Sequence, residues 1–318
     1  MVRLHDDDAG QLILVGSIAL AFVVVTLAVA FNGALFADSL ADSEARTDLD
    51  TAEGFDRAAA REVPRLLLYV NHRRPYPDQA TLDAAVRANV STYARLHAES
   101  RLREGPGVAN VSLHGWTDGT RVLQSTDGSF TADGSPGGLT DWEPVDTSQR
   151  VGWAVLNLDA ANVSDADGDD RFTIVLDDDG SDSATLYLSR NTTTGADSET
   201  VDVETVLSSG NGTAAQPCTS SQGRLLLDLR RGTAFGDDCS FNLTEPLDDT
   251  YEIRIENGEN ATGKYAFVTE GSPPNGLSPC PAGTGPCNAP VVWEATITTT
   301  YETGETTANT TRTVAVYP

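Results

Sequence analysis

The stretch of this chain that best combines chemically useful residues at a usable spacing is the acid run Asp165-Ala166-Asp167-Gly168-Asp169-Asp170. A hard cation such as calcium takes roughly six to eight oxygen ligands, so several carboxylates within one tight turn are what would hold it. Numbered as an EF-hand from Asp165, the place that needs glycine is filled by Asp170, and the place that needs the bidentate glutamate by Leu176. The EF-hand pattern therefore fails. A looser calcium or magnesium site on Asp165, Asp167, Asp169 and Asp170 stands against an ordinary acidic turn, and no other cofactor is expected.

Catalytic motifs are not found. The chain has no G-x-S-x-G, no H-E-x-x-H, no Walker loop and no GxGxxG following a strand. His72, His97 and His114 are scattered, so no nucleophile–base–acid triad assembles by motif, and no enzymatic activity is expected. Trp116, Trp142, Trp153 and Trp293 offer a sugar-stacking platform on one reading and plain core packing on the other.

Four cysteines, Cys218, Cys239, Cys280 and Cys287, form no CxxC pair and have no histidine nearby in sequence, which argues against zinc. Their order suggests Cys218 with Cys239 and Cys280 with Cys287, although four cysteines allow three pairings. Disulfides require an oxidising compartment. Eight N-x-S/T sequons point to the same compartment. Glycan is expected at Asn110, Asn162, Asn191, Asn211, Asn242, Asn260 and Asn309, whereas Asn89 falls close to the apolar seam of an expected helix.

These groups must be positioned by elements of very different character. Ala9 to Ala37 is an uncharged run of 29 residues. At 1.5 Å per residue, about 20 apolar residues cross the ~30 Å hydrocarbon layer. Residues 11–37 are thus expected to be a retained transmembrane helix, too long for a cleaved signal, after a short cytoplasmic leader at 1–10. Beyond Asp38, Ala41, Ala45, Leu49, Ala52, Phe55, Ala59 and Val63 recur in steps of three and four and predict a stalk helix that stops or kinks before Pro64. LLLYVNHRRPYP then reads as a short buried strand or turn. A second short helix is expected over about 79–103, with Leu82, Val86, Tyr93 and Leu96 as its seam, completing a helical stalk region at 38–104.

From 105 to 318 the texture is that of strands. Short Val-, Ile-, Thr- and aromatic-rich runs start at Val108, Thr120, Trp153, Phe172, Ala184, Val201, Arg224, Tyr251, Tyr265, Val291 and Thr313, separated by Gly, Asp, Asn and Ser clusters. The fold class expected is α+β: the membrane helix, the stalk helix, the second helix, then a mainly antiparallel, β-sandwich-like ectodomain. The last two runs read as a hairpin. Gly128–Gly138, Asn191–Ser198 and Ser208–Ser221 read as long mobile loops.

Lys plus Arg is 21 against 47 for Asp plus Glu, a net charge of −26, with Lys264 the single lysine. Such a field repels nucleic acid, which is not an expected partner. Acid enrichment with lysine nearly eliminated resembles the proteins of extreme halophiles, where salt screens the self-repulsion.

The N-terminus AGQLILVGSIALAFVVVTLAVAFNGALF resembles that of haloarchaeal single-span surface proteins of unknown function, and the start of these is similar to archaeal type IV pilins and pilin-like proteins. The resemblance covers roughly the first 70 residues. It implies cutting between Gly10 and Gln11, contact with membrane lipid, and packing against sister subunits. The chain departs from that pattern where Ala9 stands before Gly10 in place of a basic residue, and where Val15 stands at the fifth place in place of glutamate. The expectation is a single-pass protein of the cell membrane, N-terminus cytoplasmic and C-terminal domain outside, with a structural or assembly role. The alternative is an anchored module that binds sugar, metal or a partner protein.

Overall fold

The apolar stripe expected of the stalk produces a helix, α1, described over residues 48–73 of the computed structural model, with Leu49 exposed and the buried stripe starting at Ala52. The structure describes residues 48–104, 107–178, 182–192, 200–210, 212–235, 239–244, 247, 249–272, 274, 276–281, 285–304 and 306–317. The leader 1–10 with Gly10 and Gln11, the apolar run 11–37 and the first stalk residues lie outside the described residues. Ala52, Phe55, Ala59, Val63, Leu67 and Val70 are all buried along α1, at the expected spacing.

The helix does not stop before Pro64. Proline inside a helix removes one hydrogen bond and crowds the preceding turn, at a cost of about 3 kcal/mol. Burying Leu67 and Val70 contributes about 1.5–3 kcal/mol each, enough to carry the helix through. The segment read as a strand or turn is therefore helical as far as residue 73, and the chain breaks before Pro75, where the preceding residue is pushed out of helical geometry.

The second helix, α2 (Gln79–Glu104), runs for 26 residues and is not short. Asp78 caps it, its Oδ1 accepting the Thr81 N–H at 2.7 Å. The buried seam is Leu82, Val86, Val90 and Ala94, in steps of four. Tyr93 is half-buried and Leu96 is 53% exposed, so the expected seam drifted by one place after Val86. Asn89 flanks the seam and donates from Nδ2 to the Ala85 carbonyl at 2.7 Å.

Among the described residues twelve strands follow: β1 (Val108–Ser129), β2 (Trp142–Asp159), β3 (Phe172–Asp177), β4 (Ser183–Arg190), β5 (Thr200–Leu207), β6 (Gln216–Thr219), β7 (Arg224–Asp228), β8 (Thr233–Ala234), β9 (Thr250–Glu256), β10 (Thr262–Glu270), β11 (Cys287–Glu302) and β12 (Thr307–Ala315). Two runs that read separately, from Val108 and from Thr120, are one strand of 22 residues. The sheet order is β12-β11-β1-β10-β2-β9-β3-β4-β5-β6, with β7 joining β2 and β8 joining β7. The paired registers are antiparallel. Among the described residues the fold is thus mainly antiparallel β-sheet with two α-helices.

The long strand β2 is the corner. Its first half pairs β9, while Val151 to Leu158 pairs β10 and Val155 to Asp159 pairs β7. A strand that changes partners in this way lets one chain serve two sheet segments around one core. Alternation supplies that core: Leu156 and Leu158 of β2, Phe172, Ile174 and Leu176 of β3, Leu186 and Leu188 of β4, and Tyr265 and Phe267 of β10. β10 also buries Val268, between the core residue Phe267 and the buried Thr269.

Of the expected loops, 128–138 is a closed turn. Ser129 N–H bonds the Gly134 carbonyl at 3.1 Å and Ala132 N–H the Leu139 carbonyl at 3.0 Å, with Thr131 buried. Residues 193–199 lie outside the described residues. The third stretch contains β6, tied by Cys218.

The described chain divides into two compact units, each drawing on helical and β residues. The smaller takes residues up to 58, 97–110 and 299–310. In it Phe55 packs on His97 at 5.9 Å, Thr299 Oγ1 donates to Asp56 Oδ1 at 2.8 Å, and Thr303 Oγ1 donates to Asp48 Oδ2 at 2.7 Å. The larger takes 59–96, 111–298 and 311–318, and holds the core described above.

Candidate functional site

The acid run lies on a short 3-10 turn, Gly168–Asp170, with Gly168 at φ +67°. Its main chain is held by side chains: Arg171 Nε donates to the Gly168 carbonyl at 2.9 Å, Asn257 Nδ2 to the Asp169 carbonyl at 2.7 Å, and Asn260 Nδ2 to the Asp170 carbonyl at 2.7 Å. Asp165 pairs with Arg190 at 3.7 Å. Among the described residues, no group of three or more His, Cys, Asp or Glu side chains is arranged to hold a metal ion. Asp165, Asp167, Asp169 and Asp170 belong to no such group.

The cysteines form two disulfides, Cys218–Cys239 with Cα atoms 5.4 Å apart and Cys280–Cys287 with Cα atoms 5.1 Å apart. Of the sequon asparagines, Asn110 on β1 and Asn309 on β12 are exposed. Asn162 is exposed with Nδ2 donating to Asp159 Oδ2, whereas Asn191 and Asn260 are half-buried, donating to Asp202 Oδ1 and to the Asp170 carbonyl. Asn242 is half-buried, and Asn211 lies outside the described residues.

Two constellations emerge that sequence reading did not assemble. The first is a buried polar knot at the end of α1. Asn71 is 1% exposed; its Nδ2 donates to the Val292 carbonyl at 2.8 Å and to Tyr317 Oη at 3.1 Å, while its Oδ1 accepts the Val292 N–H at 3.0 Å. The amide thereby replaces a strand partner for β11, satisfying a buried N–H and C=O together. His72 Nε2 lies 3.1 Å from Tyr317 Oη and its ring 5.0 Å from that of Trp153. Trp293 stacks on Tyr317 at 5.5 Å. Burial, and after it the nearby Arg121 charge, pushes the His72 imidazole down to about 4 from 6.5. Burial likewise pushes the Tyr317 phenol well above its usual value and the Arg121 guanidinium below its own. The shifts of His72 and Tyr317 favour their neutral forms, while Arg121 keeps its charge beside them.

The second is a shallow groove of about 330 Å³ where β1 and β11 run side by side, lined by His114, Gly115, Trp116, Thr117, Glu294 and Thr296. The Trp116 indole is held in two independent ways. Its Nε1–H donates to Asp118 Oδ1 at 3.0 Å, and the Arg87 guanidinium of α2 lies over the ring at 5.2 Å. Asp118 is itself anchored by Gln79 Nε2 at 2.7 Å. Thr117 Oγ1 donates to Glu294 Oε1 at 3.1 Å.

The four tryptophans do not form one platform. Trp142 is buried, donating to the Phe130 carbonyl at 2.8 Å, and Trp293 and Trp153 belong to the knot. The three described histidines are likewise apart: His72 in the knot, His97 against Phe55, His114 exposed in the groove. Among the described residues, no helix is long and apolar enough to cross a membrane. Comparison with protein-family models, with curated proteins and with solved structures finds no match.

Proposed function

We propose that this chain is a membrane-anchored, glycosylated cell-surface protein of a halophilic archaeon, with a structural or assembly role of the pilin-like kind and no catalytic one. The observation that carries the reading is α1. Ten residues after the 29-residue uncharged run, a helix covers residues 48–73, does not stop at Pro64, and is bonded to β11 through Asn71. The two disulfides and the exposed sequons Asn110 and Asn309 suit the outer compartment. The groove at Trp116 favours, as a second reading, an anchored module that binds a ligand outside the cell.

The reading is tested on protein extracted from its own membranes. Mass spectrometry is expected to find Gln11 at the N-terminus, and carbonate washing is expected to leave the chain in the pellet. A terminus at Met1 or Val2 would overturn pilin-type processing. Release into the supernatant would overturn the anchor itself.

A further inference from the structure

We infer that the open edge of β12 is a pairing surface for β12 of a second copy of this chain, and that the glycan proposed at Asn309 keeps the two edges apart. A strand at the end of a sheet leaves a row of N–H and C=O groups that a further strand can take up. Among the described residues, the sheet path ends in two such strands, β6 and β12. β6 is guarded in the usual ways: it has four residues, Pro217 among them, and Cys218 is tied to Cys239. β12 has nine residues and no proline, and its Thr307, Thr310, Thr311, Thr313 and Val314 are β-branched, which suits an extended chain.

The bonds to β11 identify which groups face the open side. Val316 N–H bonds the Trp293 carbonyl at 3.0 Å, and the Thr310 carbonyl accepts from Thr299 Oγ1 at 3.4 Å. Main-chain groups alternate in direction from one residue of a strand to the next, so even-numbered residues of β12 bond β11, while Asn309, Thr311 and Thr313 turn their N–H and C=O outward. The Thr311 and Thr313 side chains are already held, by Thr298 Oγ1 at 2.6 Å and Thr296 Oγ1 at 3.3 Å, so little remains to be ordered on pairing.

Charge selects the partner. With a net charge of −26, most faces of two copies repel each other. Residues 295–301 and 306–318, the arms of the last hairpin, contain no Asp or Glu, and Arg312 is their single charged side chain. An antiparallel pair about a two-fold axis at Thr311 sets Thr311 against its own copy, Asn309 against Thr313 and Arg312 against Thr310, so no like charges stand directly opposite. Asn309 is exposed. Paired strands lie about 4.8 Å apart, and a glycan on Asn309, which rests on the glycosylation proposed above, fills the place of the incoming Thr313.

The experiment uses the full chain in detergent and high salt, with occupancy of Asn309 read by mass spectrometry and association by sedimentation equilibrium. Asn309→Gln protein is expected to dimerise with a Kd of about 10 μM or tighter, and wild type glycosylated at Asn309 at least about tenfold more weakly. Adding Thr313→Pro to Asn309→Gln removes an outward N–H and is expected to weaken association at least about tenfold, with a melting curve close to that of Asn309→Gln alone. Adding Thr311→Cys instead is expected to give a disulfide-linked dimer, since directly opposed residues lie about 5.5 Å apart at Cα, within reach of a disulfide. The pairing is overturned if Asn309→Gln protein stays monomeric at about 100 μM, if its association survives Thr313→Pro, or if it associates while the Thr311→Cys protein gives no linked dimer. The part given to the glycan is overturned if wild type glycosylated at Asn309 associates as tightly as Asn309→Gln. A native chain bare at Asn309 overturns that part and the glycosylation reading at this site, while the Asn309→Gln protein still decides the pairing.

Discussion

Lowering the pH from 7 to 5 should destabilise the protein through one residue, His72. In the folded state its imidazole is buried beside Trp153 and Tyr317 and near the Arg121 charge, and takes up a proton only at about 4 rather than 6.5. The unfolded chain therefore binds that proton first as pH falls, so stability is full above about 6.5 and drains away between 6.5 and 4. The whole gap corresponds to about 3 kcal/mol, of which about 2 kcal/mol is already lost at pH 5. Against a typical total of roughly 5–15 kcal/mol that loss is easily measured. Acid also protonates carboxylates, so the comparison must be internal. Urea unfolding at constant high salt, followed by tryptophan fluorescence, is run at pH 7 and pH 5 on the wild type and on His72→Gln, which keeps a hydrogen-bonding group beside Tyr317 but does not titrate. The wild type should lose about 2 kcal/mol more than the variant over that interval. Equal losses would refute the reasoning, since they would mean that His72 exchanges its proton freely in the folded knot.

Asn71→Ala removes three hydrogen bonds and strands the buried N–H and C=O of Val292, so a loss of about 2–4 kcal/mol in urea unfolding is expected, against under about 1 kcal/mol for the exposed Arg73→Ala. Gly152→Val should prevent folding or lower the melting temperature by many degrees, because a Cβ there would lie 2.3 Å from the Tyr317 Cβ and 2.8 Å from the Trp293 ring. Replacing Cys218 and Cys239 together by alanine opens a loop of 21 residues and should cost about 3 kcal/mol in thermal or urea unfolding, compared with about 2 kcal/mol for the shorter Cys280–Cys287 loop. Dilution of salt from about 1 M, where the Debye length is ~3 Å, to about 0.1 M, where it is ~10 Å, should unfold or destabilise a chain of net charge −26, and circular dichroism reports it.

Signals that act over a few residues were legible. The apolar steps of α1, the start of α2, the short strand runs, the final hairpin and the suggested cysteine pairs each depend on neighbours in sequence or on local loop closure. Where the reading failed, a distant partner had outweighed a local rule. Pro64 is a helix breaker by itself, yet Leu67, Val70 and Asn71 find burial and bonds in the fold that outweigh it. The turn that carries Asp165, Asp167, Asp169 and Asp170 is tied through its carbonyls to Asn257, Asn260 and Arg171, and the partners Asn257 and Asn260 are far away in sequence.

Composition and local pattern alone therefore determine that this is an acidic chain with a long apolar run, helical periodicity up to about residue 104 and strand periodicity after it. Charge, hydropathy and period are properties of short windows and survive in any conformation. Only the tertiary structure decides that His72 meets Tyr317 across 245 positions, that Asn71 completes β11, and that Trp116 and Glu294 share one groove. Those meetings depend on strand register and on how β2 turns from one sheet partner to the next, and no local period encodes either.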